Sequence, residues 1–272
     1  AVAINNGFFS SDGNFILLML SNNTIAICSE GNNKTVCYTL SGHTDIVTKA
    51  ILLADTSLII SASRDSSIMI WTMQGKLLQK TKFNFAIKDM QISKDQTKII
   101  LTSIYTPYAE LRTFKDTALI ASFGENKEGY SNQIKAKFSP NGNYLFIALD
   151  HTDSSFIYTI SKKIKKHTAL YTKHENISDI NFLKDDKQLI VSWALNNNPS
   201  LWQIGINKPI TTYKGYAKHI DKATSILKDS FTIVHALFGK IELWNNYQNS
   251  ISYTINKNIA ELIVSPTENK IA

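Results

Sequence analysis

The residue types of a hydrolytic triad lie in one short part of the chain, as His43, Ser61 and Asp65. A serine bonded to a histidine that an aspartate orients is the arrangement that activates a nucleophile for acyl transfer. Beyond the residue types, nothing in the flanking sequence supports that chemistry, and residue types alone do not establish a function. A structural role for the three side chains is therefore the stronger hypothesis.

The sequence also lacks the motifs that indicate a phosphate or metal site. It contains no G-x-G and no Walker loop, which would hold a phosphate on backbone N–H groups. It contains no H-E-x-x-H and no C-x-x-C, which would supply zinc ligands. We therefore expect no catalytic residue, no cofactor, no metal ion and no small-molecule substrate.

The three residues belong to a repeat of about 43 positions that runs through the chain. One residue in each unit marks the repeat, at the end of a short β-like run. Five of these six repeat marks are aromatic: Cys28, Trp71, Phe114, Tyr158, Trp202 and Trp244. Between successive marks lies an uninterrupted apolar run, such as FILLML or YLFIAL, which is typical of a strand buried on both faces. A turn signal such as SSDGN or SPNGN precedes each run. Each unit therefore predicts four short strands, the signature of a β-propeller blade.

The repeat predicts an all-β chain with the β-propeller fold, as one domain over residues 1–272. The predicted blades are 1–40, 41–84, 85–127, 128–172, 173–214 and 215–256, followed by the start of a seventh at 257–272. A ring that stays open exposes unpaired strand edges. We therefore expect the seventh blade to be completed outside these residues, by a longer chain or by a partner.

The unit GHTDIVTKAILLADTSLIISASRDSSIMIW, residues 42–71, resembles the WD-repeat propeller family along its whole length. The resemblance rests on the Gly-His opening, the S-x-S-x-D turn and the final Ile-Trp. In that family a histidine, a serine, an aspartate and a tryptophan form a hydrogen-bonded tetrad within one blade. The resemblance implies that the tetrad here is His43, Ser61, Asp65 and Trp71.

A second unit, residues 174–202, matches the pattern less closely. It offers four residues at the same offsets: His174, Ser192, Asn196 and Trp202. In the first unit, the carboxylate of Asp65 in its tight turn can accept backbone N–H bonds that the turn leaves open. A charge such as that of Asp65 is tolerated beside a core only when it is paired.

The resemblance also implies a non-catalytic platform for binding other proteins, which dock on the face that carries the turns before the third strands. The residues seven positions before the marks are expected there: Ser21, Arg64, Pro107, His151, Leu195 and Leu237. Of these we predict Arg64, His151, Leu195 and Leu237 as contacts. Arg64 comes first because arginine is enriched at interface hot spots, although a solvated arginine explains it equally well.

The net charge of +7 leaves a second hypothesis open. The run SKKIKKH, at 161–167, contributes Lys162, Lys163, Lys165 and Lys166, which could bind the phosphates of a nucleic acid. The favoured alternative is a solvated hairpin that protects an outer strand edge, since no aromatic residues interleave the lysines to stack on bases. An A/T-rich coding bias would also raise the lysine content. A propeller enzyme with a site in its central channel is the third hypothesis.

The remaining expectations concern the cellular setting. No apolar run is long enough for a transmembrane helix, and the N-terminus lacks a signal-peptide pattern. We expect an intracellular, cytoplasmic protein of a multi-subunit eukaryotic assembly. Cys28 and Cys37 flank the turn EGNNK, so a cross-strand disulfide is one alternative, but free thiols are favoured because disulfides are rare in reducing compartments.

Overall fold

The structure is a computed structural model. It describes residues 2–10, 13–31, 34–53, 58–125, 134–149, 154–161, 163–171, 177–193, 198–213, 220–226, 231–236, 241–245 and 250–255. Within these ranges the chain forms strands and turns, with no helix. A helix long and apolar enough to cross a membrane is accordingly not found among them.

The described strands form six sheets of four strands each. Sheet 1 contains β1 (Ile4–Phe9), β2 (Phe15–Leu20), β3 (Ile25–Gly31) and β4 (Lys34–Leu40), and sheet 2 contains β5 (Val47–Leu53), β6 (Leu58–Ser63), β7 (Ser67–Thr72) and β8 (Leu77–Lys82). Sheet 3 contains β9 (Ile87–Ile92), β10 (Lys98–Ser103), β11 (Tyr108–Thr113) and β12 (Leu119–Gly124), and sheet 4 contains β13 (Ile134–Phe138), β14 (Tyr144–Leu149), β15 (Ser154–Ile160) and β16 (Ile164–Tyr171). Sheet 5 contains β17 (Ile177–Phe182), β18 (Gln188–Trp193), β19 (Ser200–Gln203) and β20 (Pro209–Thr212), and sheet 6 contains β21 (Ile220–Ile226), β22 (Phe231–Ala236), β23 (Ile241–Asn245) and β24 (Ser250–Ile255).

Every sheet is an antiparallel meander, in which each strand pairs with the next one along the chain. Short turns make this possible, because antiparallel neighbours need only a tight connection. In sheet 4 the turn between the first two strands closes with a bond from Gly142 N to Ser139 O of 2.9 Å, and Gly142 has the left-handed φ of +74° that glycine adopts without strain. In sheet 5 the same turn places Asp186 at φ +57°.

The described residues form five hydrophobic core layers, and each layer lies between two consecutive sheets. The second strands explain the uninterrupted apolar runs of the sequence. On β6, Ile59 packs in the layer shared with sheet 1, and Ile60 packs in the layer shared with sheet 3. Because successive side chains point to opposite faces of a strand, a strand between two layers must be apolar on both faces.

The sheets are arranged around a common axis. The first strands of five sheets (β1, β5, β9, β13 and β17) contribute to the lining of one cavity of about 370 Å³. The fourth strands lie on the outside, where side chains such as those of Leu78 and Tyr38 are exposed. The predicted all-β fold and the six blades of a β-propeller are thereby confirmed.

The expected seventh unit, 257–272, lies outside the described residues. Among the described residues, no core layer joins sheet 6 to sheet 1. Ile4, Phe9 and Ile16 of sheet 1 are correspondingly exposed.

The repeat marks are structurally equivalent except for one. Trp71, Tyr158, Trp202 and Trp244 each lie directly after the irregularity in the pairing of the third and fourth strands. Cys28 lies opposite Ile16 on β2, as Trp71 lies opposite Ile59 on β6.

The third mark, Phe114, was assigned wrongly. In sheet 3 the equivalent residue is Arg112, which lies opposite Ile99 on β10 and directly follows the irregularity in the β11–β12 pairing. Phe114 comes two residues later and lies beyond the end of β11. An aromatic residue at about the right spacing was mistaken for the position that the strand pairing defines.

The two cysteines are joined in a disulfide between β3 and β4, with Cα atoms 4.2 Å apart. Cys28 and Cys37 are directly opposite partners in the pairing of these strands. The favoured expectation of free thiols is therefore wrong, and the alternative of a cross-strand disulfide is correct.

Candidate functional site

The His43 tetrad is a continuous chain of hydrogen bonds across sheet 2. Trp71 Nε1 lies 2.9 Å from Ser61 Oγ, Ser61 Oγ lies 2.8 Å from His43 Nε2, and His43 Nδ1 lies 2.9 Å from Asp65 Oδ2. The directions follow from the donors. The indole N–H of Trp71 donates to Ser61 Oγ, and the Asp65 carboxylate accepts from His43 Nδ1. In the neutral imidazole with its proton on Nδ1, the free Nε2 accepts the Ser61 hydroxyl proton.

Asp65 is the acceptor on which the turn between β6 and β7 depends. Its carboxylate accepts bonds from the backbone N–H of Thr44 (3.0 Å) and of Ser67 (3.0 Å), and from the Ser67 hydroxyl (2.6 Å). Burial alone would raise the pKa of Asp65, but the bonds from Ser67, Thr44 and His43 outweigh it and hold the pKa below its usual value. The carboxylate is thus buried, charged and fully paired.

The pKa of His43 is also lowered. Burial is the largest cause, because a desolvated imidazole resists taking up a proton. The hydrogen bond and the charge of Asp65 act in the opposite direction but do not compensate for it. The lowered pKa favours the neutral imidazole, in which Nε2 accepts the Ser61 hydroxyl proton.

The tetrad has the hydrogen bonds of a Ser-His-Asp triad but not the access. Ser61 is 0% exposed, and its oxygen already accepts the Trp71 N–H. Neither the cavity along the first strands nor a second one on sheet 1 is lined by a tetrad residue. A substrate cannot reach this serine, so the geometry supports a structural role.

The second predicted tetrad is wrong where the structure describes it. Trp202 Nε1 donates to Ser200 Oγ at 2.8 Å and not to Ser192. Ser192 is buried, and its hydroxyl has no partner among the described residues. His174 and Asn196 lie outside the described residues.

The second tetrad was predicted wrongly because the turn between the second and third strands is one residue longer in sheet 5 than in sheet 2. On β6, Ser61 lies opposite Met69 of β7. On β18 the residue opposite Ser200 of β19, which corresponds to Met69, is Val191 and not Ser192. A shift of one residue along a strand moves a side chain to the other face of the sheet, so counting back from Trp202 selected a serine on the wrong face.

A polar residue two positions before the mark is the feature that sequence reasoning missed. Glu242 accepts the Trp244 indole N–H at 3.0 Å, and Glu110 accepts a bond from Arg112 Nε at 2.6 Å. Ser200, Glu110 and Glu242 thus each accept the side-chain N–H of the repeat mark two residues later on the same strand. Residues two apart share one face of a strand, so the sequence patterns SLW, ELR and ELW could have predicted these bonds.

A second missed residue is Asp186, which links sheet 5 to sheet 4. From its turn, the buried carboxylate accepts bonds from the hydroxyl of Ser139 (2.9 Å) and the backbone N–H of Asn141 (3.0 Å) in the neighbouring sheet. These bonds connect the first turns of two consecutive sheets. No local sequence pattern could show them, because the partners are separated by more than 40 residues.

Arg64 lies in the turn between β6 and β7 and is partly buried. Its Nε is shielded from solvent and has no hydrogen-bond partner among the described residues. Its backbone N–H donates to Ile46 O at 3.0 Å, and the same bond recurs from Ile104 to Ala86 in sheet 3. Ile104, and not Pro107, therefore occupies the Arg64 position in sheet 3. His151, Leu195 and Leu237 lie outside the described residues.

Tyr105 follows Ile104 in the same turn of sheet 3 and is 65% exposed. It occupies the position of Asp65 in the neighbouring sheet. Counting seven residues back from the corrected mark, Arg112, selects Tyr105, so the wrong mark at Phe114 is the reason it was missed. Tyrosine and arginine are both enriched at hot spots of protein interfaces.

The lysine run is a hairpin between β15 and β16. Lys163 lies in its turn, Lys165 and Lys166 lie on β16, and all three are exposed, whereas Lys162 lies outside the described residues. Lys165 and Lys166 are consecutive on a strand and point to opposite faces. Lys166 Nζ lies 3.5 Å from the centre of the Phe156 ring. The lysines thus do not converge on one surface.

Comparisons with known proteins agree with the fold. Residues 34–72, which include the His43 tetrad, match the family model of the WD domain, G-beta repeat. This segment begins on β4, the outer strand of sheet 1, and runs through the third strand of sheet 2. No curated protein matches the chain.

Proposed function

We propose that this WD-repeat β-propeller is a non-catalytic protein interaction module of a larger assembly, and that a partner docks on the turns that carry Arg64 and Tyr105. WD repeats generally mediate protein–protein interaction, and propellers built from them are typically not enzymes. The docking face and the assembly are the parts that belong to this proposal.

The observation that carries the proposal is the buried Nε–H of Arg64, which has no acceptor in the part of the chain that the structure describes. A donor withdrawn from water without an acceptor costs about 1–3 kcal/mol. A carboxylate or carbonyl of a partner would remove that cost and would bind the planar guanidinium in a fixed geometry. The tetrad supports the site, because Asp65 holds the turn in which Arg64 lies.

Tyr105 extends the same face onto sheet 3. The bonds of Arg64 to Ile46 and of Ile104 to Ala86 show that the two turns are equivalent, and sheets 2 and 3 share a core layer. The partly buried arginine on one turn and the exposed tyrosine on the equivalent turn of the next sheet provide a charged donor and an apolar ring, residue types typical of a hot spot.

The test compares variants of the full chain, expressed with an affinity tag in cells of its native source. Wild type, Arg64→Glu, Tyr105→Ala and Lys163→Glu are purified under native conditions, and the associated proteins are quantified by mass spectrometry. Lys163→Glu is the matched control, because it makes the same charge change at an exposed lysine of another surface.

We expect a set of stoichiometric partners with wild type and with Lys163→Glu. Arg64→Glu should reduce their recovery at least about tenfold, as truncation of a hot spot does, and Tyr105→Ala should reduce the same proteins. Recovery that is unaffected by Arg64→Glu and Tyr105→Ala, or elution of wild type alone, would contradict the proposal.

Two predictions from the sequence, nucleic-acid binding and an intracellular location, have less support than protein binding. Nucleic-acid binding through the lysine hairpin is not favoured, because Lys165 and Lys166 point apart and Lys166 lies over Phe156. The intracellular location stays a prediction. The Cys28–Cys37 disulfide counts against a strongly reducing compartment, where such bonds are rare.

A further inference from the structure

We propose that the cavity along the first strands binds a small anion that carries two or more phosphate groups. This cavity has a volume of about 370 Å³, which lies within the range of small-molecule sites, about 300–1,000 Å³. It is separate from the turns that carry Arg64 and Tyr105, neither of which lines it.

The lining of the cavity is basic. Lys49 comes from β5, Lys88 from β9, and Lys135 and Lys137 from β13. The only acidic residues among the described lining are Asp89 and Asp179, so four positive and two negative charges leave a net charge of +2. A concave surface with one sign of charge concentrates the electric field and attracts the opposite ion.

The two aspartates neutralise these lysines incompletely. Lys49 Nζ lies 3.8 Å from Asp89 Oδ1, and Lys137 Nζ lies 3.8 Å from Asp179 Oδ1. A strong charge-assisted bond between such groups is shorter, at about 2.7–2.9 Å. At these separations neither carboxylate forms a strong charge-assisted bond with its lysine.

The two lysines of β13 also donate to uncharged acceptors. Lys137 Nζ donates to Ile180 O at 2.5 Å and to Asn181 Oδ1 at 2.8 Å, and Lys135 Nζ donates to Ile177 O. Carbonyl and amide oxygens orient an ammonium group without cancelling its charge. They therefore hold the lysine side chains of β13 in place before an anion arrives.

Ser178 provides an independent indication of a ligand. The residue lines the cavity, and its hydroxyl is shielded from solvent and has no partner among the described residues. A buried hydroxyl without a partner costs about 1–3 kcal/mol. An oxyanion in the cavity would accept this bond together with those of the lysines.

The basic residues of the described lining are all lysines, which favours phosphate over carboxylate as the anionic group. Arginine binds a carboxylate through its planar pair of donors, whereas lysine acts as a compact point charge and is a common phosphate ligand. No sequence motif indicates this site, because its lysines come from three strands that are far apart in the chain.

The experiment is a calorimetric titration of the full chain with inorganic tripolyphosphate, with citrate as the carboxylate comparison. Lys88→Gln/Lys135→Gln removes two charges from the cavity, and Lys163→Gln/Lys165→Gln removes two charges from the exposed hairpin. Because the charge loss is the same, the hairpin variant controls for the overall charge of the protein.

We expect saturable binding of tripolyphosphate and weaker binding of citrate. The cavity variant should weaken binding at least about tenfold, because two nearby charges are lost, and the hairpin variant less than about twofold, because distant exposed charges are screened by salt. Equal losses in both variants, equal binding of citrate, or no binding by wild type would overturn the proposal.

Asp89→Asn tests the opposite direction and does not depend on the folding of the double variant. It removes a negative charge from the cavity wall, so tripolyphosphate should bind about threefold more tightly. Ser178→Ala should weaken binding by a similar factor. Unchanged or weaker binding by Asp89→Asn would overturn the proposal even if the lysine variants failed to fold.

Discussion

Sheets 2 and 5 place a buried tryptophan at the same position, yet the two indole groups donate to different partners. Trp71 donates across the sheet to Ser61, which continues through His43 to Asp65. Trp202 donates to Ser200, two residues earlier on its own strand. The buried serine nearest in sequence to the tetrad position, Ser192, has no partner among the described residues.

The difference shows that packing and hydrogen bonding are specified separately in this repeat. Both tryptophans lie in a core layer between two sheets, and that position repeats because each layer repeats. The acceptor of the indole N–H need only be buried and within reach, and the third strand of sheet 5 supplies one locally. The tetrad instead ties the opening of its blade, at His43, to the turn at Asp65 and so stiffens the turn that carries Arg64.

The two sheets should differ most in the unfolding free energy that is lost when an aspartate of a turn is replaced by alanine. Asp65→Ala would leave the Thr44 and Ser67 N–H groups and the His43 ring without their acceptor, which should lower the free energy of unfolding by about 2–3 kcal/mol. Asp185→Ala is the control in sheet 5. Asp185 accepts the N–H groups of Lys187 and Gln188 but is exposed, so water replaces it at a cost below about 1 kcal/mol. Urea denaturation of both variants measures the difference, and equal losses would mean that the tetrad adds nothing to an ordinary turn.

A smaller difference is expected from the two buried serines, which are both 0% exposed. Ser61→Ala removes the link between Trp71 and His43 and should cost about 1–2 kcal/mol. Ser192→Ala removes a hydroxyl for which the described ranges offer no partner, so it should leave stability unchanged or raise it slightly. The same denaturation experiment compares them, and a loss in Ser192→Ala as large as that in Ser61→Ala would show that the hydroxyl is paired after all.

The contrast between these sheets also explains what the sequence could predict. The period, the strand count and the all-β fold followed from apolar runs and turn residues, because each blade must bury both faces of its second strand. The marks were placed correctly where a large aromatic or a cysteine holds the position, and wrongly at Phe114, where Arg112 holds it instead. Arg112 is accommodated there because it is paired with Glu110 and lies over the Phe83 ring.

Contacts between blades were beyond the reach of the sequence. The bonds from Asp186 to sheet 4 and the lysines of the cavity join residues that no local pattern connects. The second tetrad failed for a different reason, since a turn longer by one residue moved Ser192 to the opposite face. A fixed offset along the sequence is reliable only while every turn keeps its length.

The smallest expected effect is a pH dependence of stability that His43 gives to sheet 2. The pKa of His43 is lowered in the folded protein, so below about pH 6.5 the unfolded chain takes up a proton that the folded protein excludes. The stability contributed by neutral His43 is therefore complete above pH 6.5 and decreases as the pH falls, by less than about 1.4 kcal/mol per pH unit for one group. His43→Gln removes this titration, so the difference in unfolding free energy between wild type and the variant should shrink from pH 7.5 to pH 5, a range in which Asp65 remains ionised because its own pKa is lowered. A difference that grows as the pH falls would mean that the folded protein binds the proton more tightly than the unfolded chain, and that the tetrad contains a charged imidazolium.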